Sequence, residues 1–195
     1  MIKKSIRPII TIDGPAASGK GTIAKKIAKD FKLYNLETGL FYRVLGKEFL
    51  DGANNKDIKK FINGLNKNLF QIDREYKNAL YNEIVAEQAS KLAKLKIIRS
   101  FVLSKQIETL LNYPKKFKGI ILEGRDCGTV IAPRANVKFF LNAKVEIRAK
   151  RRYEQLLVKK MGIKYENILN ELILRDENDE NREESPLVKA EDATE

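Results

Sequence analysis

The feature that most constrains this chain is a glycine-rich segment at residues 14–22, Gly14-Pro15-Ala16-Ala17-Ser18-Gly19-Lys20-Gly21-Thr22. It follows a short β-branched run at 8–13 and precedes a stretch at 20–32 whose apolar residues recur at helical spacing. This order predicts a strand, a tight loop and a helix. In that setting the G-x-x-x-x-G-K spacing is typical of a loop whose backbone N–H groups converge on phosphate at a helix N-terminus, with Lys20 reaching the outer phosphates.

The residue after this lysine departs from the common pattern. Gly21 stands where a serine or threonine usually follows, and the hydroxyl comes one position later, at Thr22. We predict Thr22 as the hydroxyl that contributes to binding Mg²⁺ beside the phosphates. Asp13 and Glu123 are the nearest candidate carboxylates for the metal or its waters. For all three residues a capping or core hydrogen bond fits the sequence equally well.

Two residue counts exclude whole classes of chemistry. The chain contains no histidine, which rules out imidazole acid–base catalysis, a Ser-His-Asp triad and histidine-ligated zinc. Its single cysteine, Cys127, cannot form an internal disulfide, and we expect it to be a small buried residue. No apolar run approaches the roughly 18 residues of a membrane span, and no long apolar leader precedes Gly14. We therefore expect a soluble, cytoplasmic protein with no membrane partner.

The net charge of +12 suggests a polyanionic or phosphorylated partner. Lysines are scattered along the presumed helix surfaces, so the arginines, whose planar guanidinium holds phosphate bidentately, are the more informative bases. RNA binding is an alternative at this point. No aromatic and basic recognition motif supports it, however, and we expect no specific nucleic-acid partner.

The remaining pattern predicts an α/β fold with a parallel sheet. Short apolar runs at 119–122 and 137–141 are typical of parallel strands buried on both faces, and helix-period stretches follow at 144–160 and 165–175. By the same pattern we expect Phe41, Phe139 and Phe140 in the core.

Residues 51–111 have helical periodicity without a clear long strand, which predicts an inserted helical lobe. The length of 195 residues favours one domain with an insertion over two independent domains. We therefore predict a single domain over residues 1–195. Its parts are a core at 1–50 and 112–160, a lobe at about 51–111, and a lid with the C-terminal segment at about 161–195.

Two further motifs stand where predicted parallel strands end, Thr38-Gly39-Leu40-Phe41-Tyr42-Arg43 and Glu123-Gly124-Arg125-Asp126-Cys127-Gly128-Thr129. Ligands of open α/β sheets bind beyond the carboxyl ends of the strands, so we expect Arg43 and Arg125 to face the same crevice as Lys20. Near the C-terminus, Arg175, Asp179 and Arg182 recur at spacings of four and three and would share one face if a helix continues. A solvated charged face is the alternative there.

Together these motifs resemble the bacterial type of cytidylate kinase. The resemblance runs from residue 8 to about 194 and includes D-G-P-x-x-x-G-K-G-T at 13–22, T-G-x-x-Y-R at 38–43, G-R-D-x-G-T at 124–129 and R-D-x-x-D-x-x-R at 175–182. The G-K-G-T form of the loop is found in nucleoside monophosphate kinases. The resemblance implies a parallel-sheet P-loop nucleoside monophosphate kinase fold with a helical acceptor-binding lobe and a lid.

The activity implied by the resemblance is transfer of the γ-phosphoryl group of ATP to CMP or dCMP, giving CDP or dCDP, a step of pyrimidine nucleotide metabolism. It implies ATP and Mg²⁺ as cofactors and the small nucleotides ATP, CMP and dCMP as partners, and we expect a monomer. Histidine is not required for this reaction. The acceptor is a phosphate monoester with a second pKa of about 6, so its attacking oxygen is already ionised at neutral pH.

Residue roles are also implied by the resemblance. The loop residues Gly14, Pro15, Ala16, Ala17, Ser18, Gly19, Lys20, Gly21 and Thr22 would bind the ATP phosphates. The catalytic residues would be Lys20, Arg125, Arg175 and Arg182, the last of them in a lid. The acceptor would contact Thr38, Tyr42, Arg43, Ser90, Arg99, Arg125, Asp126, Arg175 and Asp179. In that set, Ser90, Arg99 and Asp126 would address the cytosine edge, and Asp179 the sugar.

Several positions depart from the family pattern. Glu37 replaces an aspartate, Leu40 a small residue and Tyr81 an arginine, and we expect these changes to alter the acceptor pocket. Family members also continue past the position of Thr194 into a further strand and helix, whereas this sequence ends at Glu195. We therefore expect four parallel strands, an exposed sheet edge and weakened binding of the phosphate donor.

Two other functions stay open on the sequence alone. One is a related P-loop kinase for another small acceptor, although a serine, an arginine and an aspartate suit an amino-pyrimidine. The other is a truncated nucleotide-binding or RNA-binding protein with impaired catalysis. A polyanion binder would lose affinity steeply with salt, whereas a nucleotide pocket would distinguish CMP from UMP at fixed salt.

Overall fold

The computed structural model describes residues 7–52, 57–66, 68–70, 72–157 and 163–195. They fall into two units, which we call the sheet unit (Met1–Leu36 with Tyr113–Glu195) and the helical unit (Glu37–Asn112). The predicted end of a helix at residue 160 and its break at 161–162 lie outside the described residues.

The sheet unit contains a four-stranded sheet formed by β1 (Ile9–Asp13), β2 (Tyr34–Glu37), β3 (Ile120–Gly124) and β4 (Val137–Phe140). The strand order is β2-β3-β1-β4, and β1 lies parallel to both of its neighbours. Around this sheet run α1 (Lys20–Phe31), α7 (Val145–Leu157) and α8 (Tyr165–Glu180), with a π-helical turn at Cys127–Ile131. The predicted α/β fold with four parallel strands is confirmed.

Strands β1 and β3 occupy the centre of the sheet and are largely buried on both faces, as parallel strands covered by helices are. Ile12 and Ile121 are at most 1% exposed, and they pack with Ala24 and Ala28 of α1. Because these two helix positions are alanines, α1 can lie close against the strands. The strand, loop and helix predicted around residues 8–32 are thus held together by one core.

Strand β4 differs from the prediction of a strand buried on both faces. Val137 and Phe139 are 42% and 37% exposed, whereas Lys138 between them is only 7% exposed. The assignments of Val137 to a fully buried strand and of Phe139 to the core are therefore wrong. An apolar run predicts burial, but β4 stands at the end of the strand order, where one of its faces meets solvent.

The outer edge of β4 is partly covered by the chain itself. Phe140 N donates a hydrogen bond of 2.8 Å to Thr194 O, and Thr194 N donates one of 3.0 Å to Lys138 O. The buried ammonium of Lys138 donates to Pro133 O and to the Asp192 carboxylate, both at 2.8 Å. The prediction of an exposed sheet edge is therefore wrong at this point, because backbone pairing with Thr194 satisfies part of the hydrogen-bonding capacity of β4.

The helical unit contains α2 (Gly39–Asp51), α3 (Ile58–Gly64), α4 (Arg74–Ala79), α5 (Glu83–Leu92) and α6 (Lys96–Asn112). Side chains cap three of these helices at their N-termini, because Asp57, Asp73 and Asn82 each accept a backbone N–H of the first turn. Helices α2 and α5 approach closely at Gly46, where an added Cβ would lie 3.0 Å from Val85 O. In the part of the chain described, no helix is long and apolar enough to cross a membrane.

Candidate functional site

The glycine-rich segment forms a loop that only a few backbone conformations allow. Gly14 has φ of +149°, and an added Cβ there would lie 2.1 Å from Leu141 O, so no larger residue fits. Gly19, the N-cap of α1, has φ of +97° with no atom within 4 Å of an added Cβ. Ala17 is left-handed as well, with φ of +58°. The loop therefore brings its backbone to the N-terminus of α1, where a helix favours anions.

Lys20 is held inside this loop. Its side chain is 8% exposed, and Nζ donates a hydrogen bond of 2.8 Å to Pro15 O. Burial, and next the nearby guanidinium of Arg125, lower the pKa of Lys20 well below its usual value. Ser18 is also buried, and its Oγ has no hydrogen-bond partner among the described atoms. A cation and a hydroxyl placed in this way are suited to a phosphate oxygen.

The position after Lys20 lies close to Glu123. A Cβ at Gly21 would lie 2.9 Å from Glu123 Oε2, so a serine or threonine there would require the carboxylate at the end of β3 to move. Thr22 lies one position on, exposed in the first turn of α1. Glu123 also acts electrostatically on Lys20, in the direction that raises its pKa.

Asp13 forms the core hydrogen bonds that the sequence left as an open alternative. Its carboxylate accepts the backbone N–H groups of Cys127 and Gly128 at 2.9 Å and 2.7 Å, at the start of the π-helical turn. Burial raises the pKa of Asp13. Cys127 is fully buried, as predicted. No group of three or more His, Cys, Asp or Glu residues suited to a metal ion occurs among the described residues.

A network of ion pairs surrounds Asp179 in α8. Its carboxylate accepts Arg125 Nε at 2.8 Å and Arg182 Nη1 at 3.2 Å. Arg182 Nη2 lies 3.7 Å from Asp126 Oδ2, and its Nε donates to Ser185 O at 2.5 Å. Burial acts to raise the pKa of Asp179, but the guanidinium groups around it, Arg125 first, outweigh burial and hold that pKa below its usual value.

The sheet unit thus brings together most of its predicted site residues. Arg125, Arg175 and Asp179 all act electrostatically on Lys20, and Arg182 and Asp126 join the same network through Asp179 and Arg182. Helix α8 ends at Glu180, so Arg182 lies just beyond it and still pairs with Asp179. The arginine-rich end of α8 is an ion-pair network, and the alternative of a simple solvated face does not describe it.

In the helical unit, two predicted arginines lie against aromatic rings. Arg43 donates from Nη1 to Leu80 O at 2.8 Å and lies over the ring of Tyr81, with Cζ 5.2 Å from the centroid. Arg99 is 7% exposed and lies over Tyr42 at 5.7 Å. These contacts fix the planes of both guanidinium groups.

Thr38 and Ser90 are the other predicted residues of this unit. Thr38 is buried, and its carbonyl oxygen accepts Gln106 Nε2 at 3.1 Å. Ser90 is half-buried on α5.

The two departures at positions 37 and 81 meet in the structure. Glu37 is 8% exposed and accepts hydrogen bonds from the hydroxyl of Tyr81 and from Lys77 Nζ, the latter at 2.7 Å. A tyrosine cannot serve as a charged partner, but its hydroxyl can donate to a carboxylate. The residues at these two positions are therefore joined by a hydrogen bond, and Tyr81 also lies beside Arg43.

Sequence reasoning missed Arg148, which is 5% exposed and donates to the loop at Ala16 O. Its position in the sequence could have indicated this burial, because Arg148 follows Val145 by three residues and precedes Ala149, on the apolar side of a helix. It also missed Lys77, for which no signal in the sequence pointed to Glu37.

The chain is similar in sequence to known proteins over nearly its whole length. Residues 10–195 match the cytidylate kinase family. The cytidylate kinase of Fusobacterium nucleatum is 41% identical over 200 residues, covering 96% of this chain and 88% of the relative. That of Bartonella tribocorum is 42% identical over 187 residues, covering 95% of this chain and 84% of the relative. Among solved structures, shikimate kinase from Bacteroides thetaiotaomicron is 13% identical and covers 88% of this chain and 78% of that one, with a TM-score of 0.43. A family match over most of the chain, with relatives at this identity, means that the chain belongs to the cytidylate kinase family.

Proposed function

We propose that this protein transfers the γ-phosphoryl group of ATP to CMP or dCMP and gives CDP or dCDP. The observation that carries the proposal is the buried Lys20 inside a glycine loop, under the electrostatic influence of Arg125 and Arg175, in a chain of this family. Two guanidinium groups beside one lysine can neutralise the negative charge on a transferring phosphoryl group.

Binding of the donor phosphates is assigned to residues 14–22. The backbone N–H groups at the N-terminus of α1, the buried hydroxyl of Ser18 and the ammonium of Lys20 support that assignment. A phosphate oxygen would replace Pro15 O as the acceptor for Lys20. Because its pKa is depressed by burial and by cationic neighbours, Lys20 gains stabilisation when an anion arrives.

A magnesium ion that coordinates the ATP phosphates fits beside the same loop. Thr22 and Glu123 are the two oxygen-bearing side chains next to it, and Asp13 is committed to backbone N–H groups. Mg²⁺ is usually held by one or two protein oxygens, water and substrate phosphates, so a large carboxylate cluster is not required. Bound there, the ion would neutralise charge on the outer phosphates of ATP.

Binding of the acceptor is assigned to residues in each unit. In the helical unit, Thr38, Tyr42 and Arg43 would contact its phosphate side, and Ser90 with Arg99 its cytosine. In the sheet unit, Asp126 would contact the cytosine amino group, Asp179 the sugar, and Arg125 with Arg175 the transferring phosphate. Asp179 stays ionised at neutral pH because its pKa is held low, so it can accept hydrogen bonds from a sugar hydroxyl.

No general base is needed in this reaction. The acceptor phosphate is already ionised near neutral pH, and the chain supplies positioning and positive charge. The expectations that the protein is a cytoplasmic monomer stay predictions.

The test is ATP-dependent phosphorylation of CMP, dCMP, UMP and AMP in parallel, with a Lys20→Ala variant as control. We expect CMP and dCMP to be preferred and product formation to be abolished in the variant. Phosphorylation of a different small acceptor would favour a related kinase. Absence of both turnover and a CMP-induced shift in melting temperature would overturn the proposal, and RNA binding that weakens steeply with salt would replace it with the polyanion alternative.

A further inference from the structure

Arg148 is a buried cation in a place where a helix normally carries an apolar residue. It lies on α7 beside Ala149, which is fully buried, and its own side chain is 6% exposed. A charged group taken out of water is costly unless its donors are satisfied and its charge is paired. The contacts of Arg148 therefore indicate what the structure gains from it.

The guanidinium of Arg148 joins three separate segments of the sheet unit. Nε donates to Ala143 O at 2.7 Å, and Nη1 donates to Ala16 O in the glycine loop at 3.1 Å. Nη1 also lies 2.6 Å from Oδ2 of Asp176 in α8. The other carboxylate oxygen of Asp176 is buried and has no hydrogen-bond partner among the described atoms. Arg148 is therefore the cation that balances the Asp176 charge.

Apolar packing connects the same three segments. Ala16 of the loop packs with Ala149 of α7 and with Ile168 and Leu172 of α8, and Ala17 lies against this cluster. Ala17 has a left-handed backbone, which is unfavourable for a residue with a Cβ. Contacts from α7 and α8 are thus available to hold the loop in this conformation.

Asp176 lies between two residues of the candidate site. Arg175 precedes it directly and acts on Lys20, and Asp179 follows within the same turn of α8 and pairs with Arg125. A shift of Asp176 along or around the helix axis would move both neighbours. The ion pair with Arg148 therefore links their position to the backbone of the loop.

We propose that Arg148 is a positioning residue that couples the glycine loop to α8, so that the loop conformation and the placement of Arg175 and Asp179 are set together. The inference rests on the proposed function insofar as ATP is the ligand of the loop. It concerns donor binding and leaves the helical unit unaffected. Losing the contact to Ala16 O loosens the loop, and losing the ion pair moves the α8 residues away from Lys20.

The decisive variant is Arg148→Lys, which keeps a positive charge near Asp176 but cannot span two carbonyl groups and a carboxylate with one planar group. The matched controls are Lys150→Met, an exposed cation on α7, and Glu177→Gln, an exposed carboxylate beside Asp176 on α8. Asp176→Asn removes the charge from the partner side while keeping its shape, and serves if Arg148→Lys does not fold.

Dissociation constants for ATP and for CMP are measured separately by calorimetry, followed by KM and kcat. We expect Arg148→Lys and Asp176→Asn to raise the dissociation constant and the KM for ATP by about tenfold and to lower kcat by a similar factor. CMP binding in the absence of ATP should weaken by a smaller factor, because Arg175 and Asp179 are only two of the residues assigned to the acceptor. The double variant should bind ATP only slightly more weakly than either single variant, because each substitution removes the same connection between Arg148 and Asp176.

A merely structural role would lower the melting temperature and leave the ATP constants equal to those of Lys150→Met and Glu177→Gln, and this result would overturn the proposal. Equal losses of ATP and CMP binding would overturn it as well. If the unmodified protein forms no CDP, the proposed function fails, yet the calorimetric comparison of ATP affinity still decides whether Arg148 couples the loop to α8.

Discussion

In the sheet unit the candidate residues meet as partly buried ion pairs, whereas in the helical unit they are held by aromatic rings and backbone carbonyl groups. Lys20, Arg125 and Asp179 lie in one electrostatic network, and each alters the environment of the others. Arg43 and Arg99 instead lie over Tyr81 and Tyr42. The difference indicates that strong ion pairing in a low-dielectric region fixes the charged groups of the sheet unit. In the helical unit, weaker contacts fix the orientation of the two arginines.

This comparison has a consequence for substitutions. Removal of one member of an ion-pair network leaves its partners buried and uncompensated, so effects in the sheet unit should be large and pH-dependent. Removal of a ring or hydroxyl in the helical unit should change the affinity for one ligand with little effect on stability.

The largest effect is expected for Lys20→Met. Loss of a cation at the transferring phosphate should lower kcat by about 10³-fold, as for other groups that stabilise transition-state charge. At the same time the melting temperature of the unliganded protein should rise, because a buried ammonium with two cationic neighbours is removed. Steady-state kinetics and thermal melting measure the two effects, and Lys26→Met, an exposed lysine of α1, is the control.

The stability gain should depend on pH in a defined direction. The pKa of Lys20 is lower in the folded protein than in the unfolded chain, so unfolding takes up a proton between the two values. The unmodified protein therefore gains stability as pH rises through that window toward the usual lysine pKa of 10.5. The advantage of Lys20→Met should be greatest below that window and shrink as pH rises through it; a constant advantage would contradict the assigned cause.

The next largest effect, on the free energy of unfolding, is expected for two glycine substitutions, one in each unit. Gly14→Ala places a Cβ 2.1 Å from Leu141 O at φ of +149°, and it should destabilise the fold by about 3 kcal/mol or more. Gly46→Ala places a Cβ 3.0 Å from the backbone of α5, and its cost of about 1–2 kcal/mol is partly offset by the helix propensity of alanine. Denaturant unfolding gives both values. Equal losses would mean that the loop is no more constrained than the helix pair.

A smaller effect is expected for Asp179→Asn. The carboxylate has a pKa below its usual 3.8 in the folded protein, so its stabilising contribution is present above that value and is lost as pH falls through the folded pKa. At pH 7 we expect a loss of about 1–3 kcal/mol relative to Glu177→Gln, an exposed carboxylate on the same helix. Below the folded pKa of Asp179 the two variants should converge, and a difference that persists there would show that the loss does not come from the charge of Asp179.

The smallest effect is expected for Tyr81→Phe in the helical unit. The ring under Arg43 is kept, and only the hydroxyl that donates to Glu37 is lost. We expect the KM for CMP to rise about three- to tenfold, with the KM for ATP unchanged, since one hydrogen bond to a charged group contributes about 1 kcal/mol. Lys77→Met, which removes the other partner of Glu37, is the matched variant. A change in the KM for ATP would break the contrast between the two units.

The parts of this molecule that could be predicted from sequence are those set by local rules. The glycine loop follows from backbone constraints at Gly14 and Gly19 and from the strand and helix beside it. The pairing of Asp179 with Arg182 follows from helical spacing, although α8 itself ends between them. In each case residues close in sequence determine the geometry.

Other features depend on contacts between distant segments and could not be predicted. An apolar run at 137–141 gives no sign that β4 ends the described sheet, so the exposure of Val137 and Phe139 was missed. The role of Asp13 depends on the direction of two N–H groups over 110 residues away along the chain. Arg148 is one of four bases in α7, and composition alone does not single out the buried one.

The contact between Gly21 and Glu123 also constrains how this sequence can change over time. A hydroxyl directly after the lysine would require a Cβ at position 21, only 2.9 Å from the Glu123 carboxylate. Such a mutation requires the Glu123 carboxylate to move, and a displaced carboxylate would change its electrostatic effect on Lys20. The effect of a mutation at position 21 therefore depends on the residue at position 123.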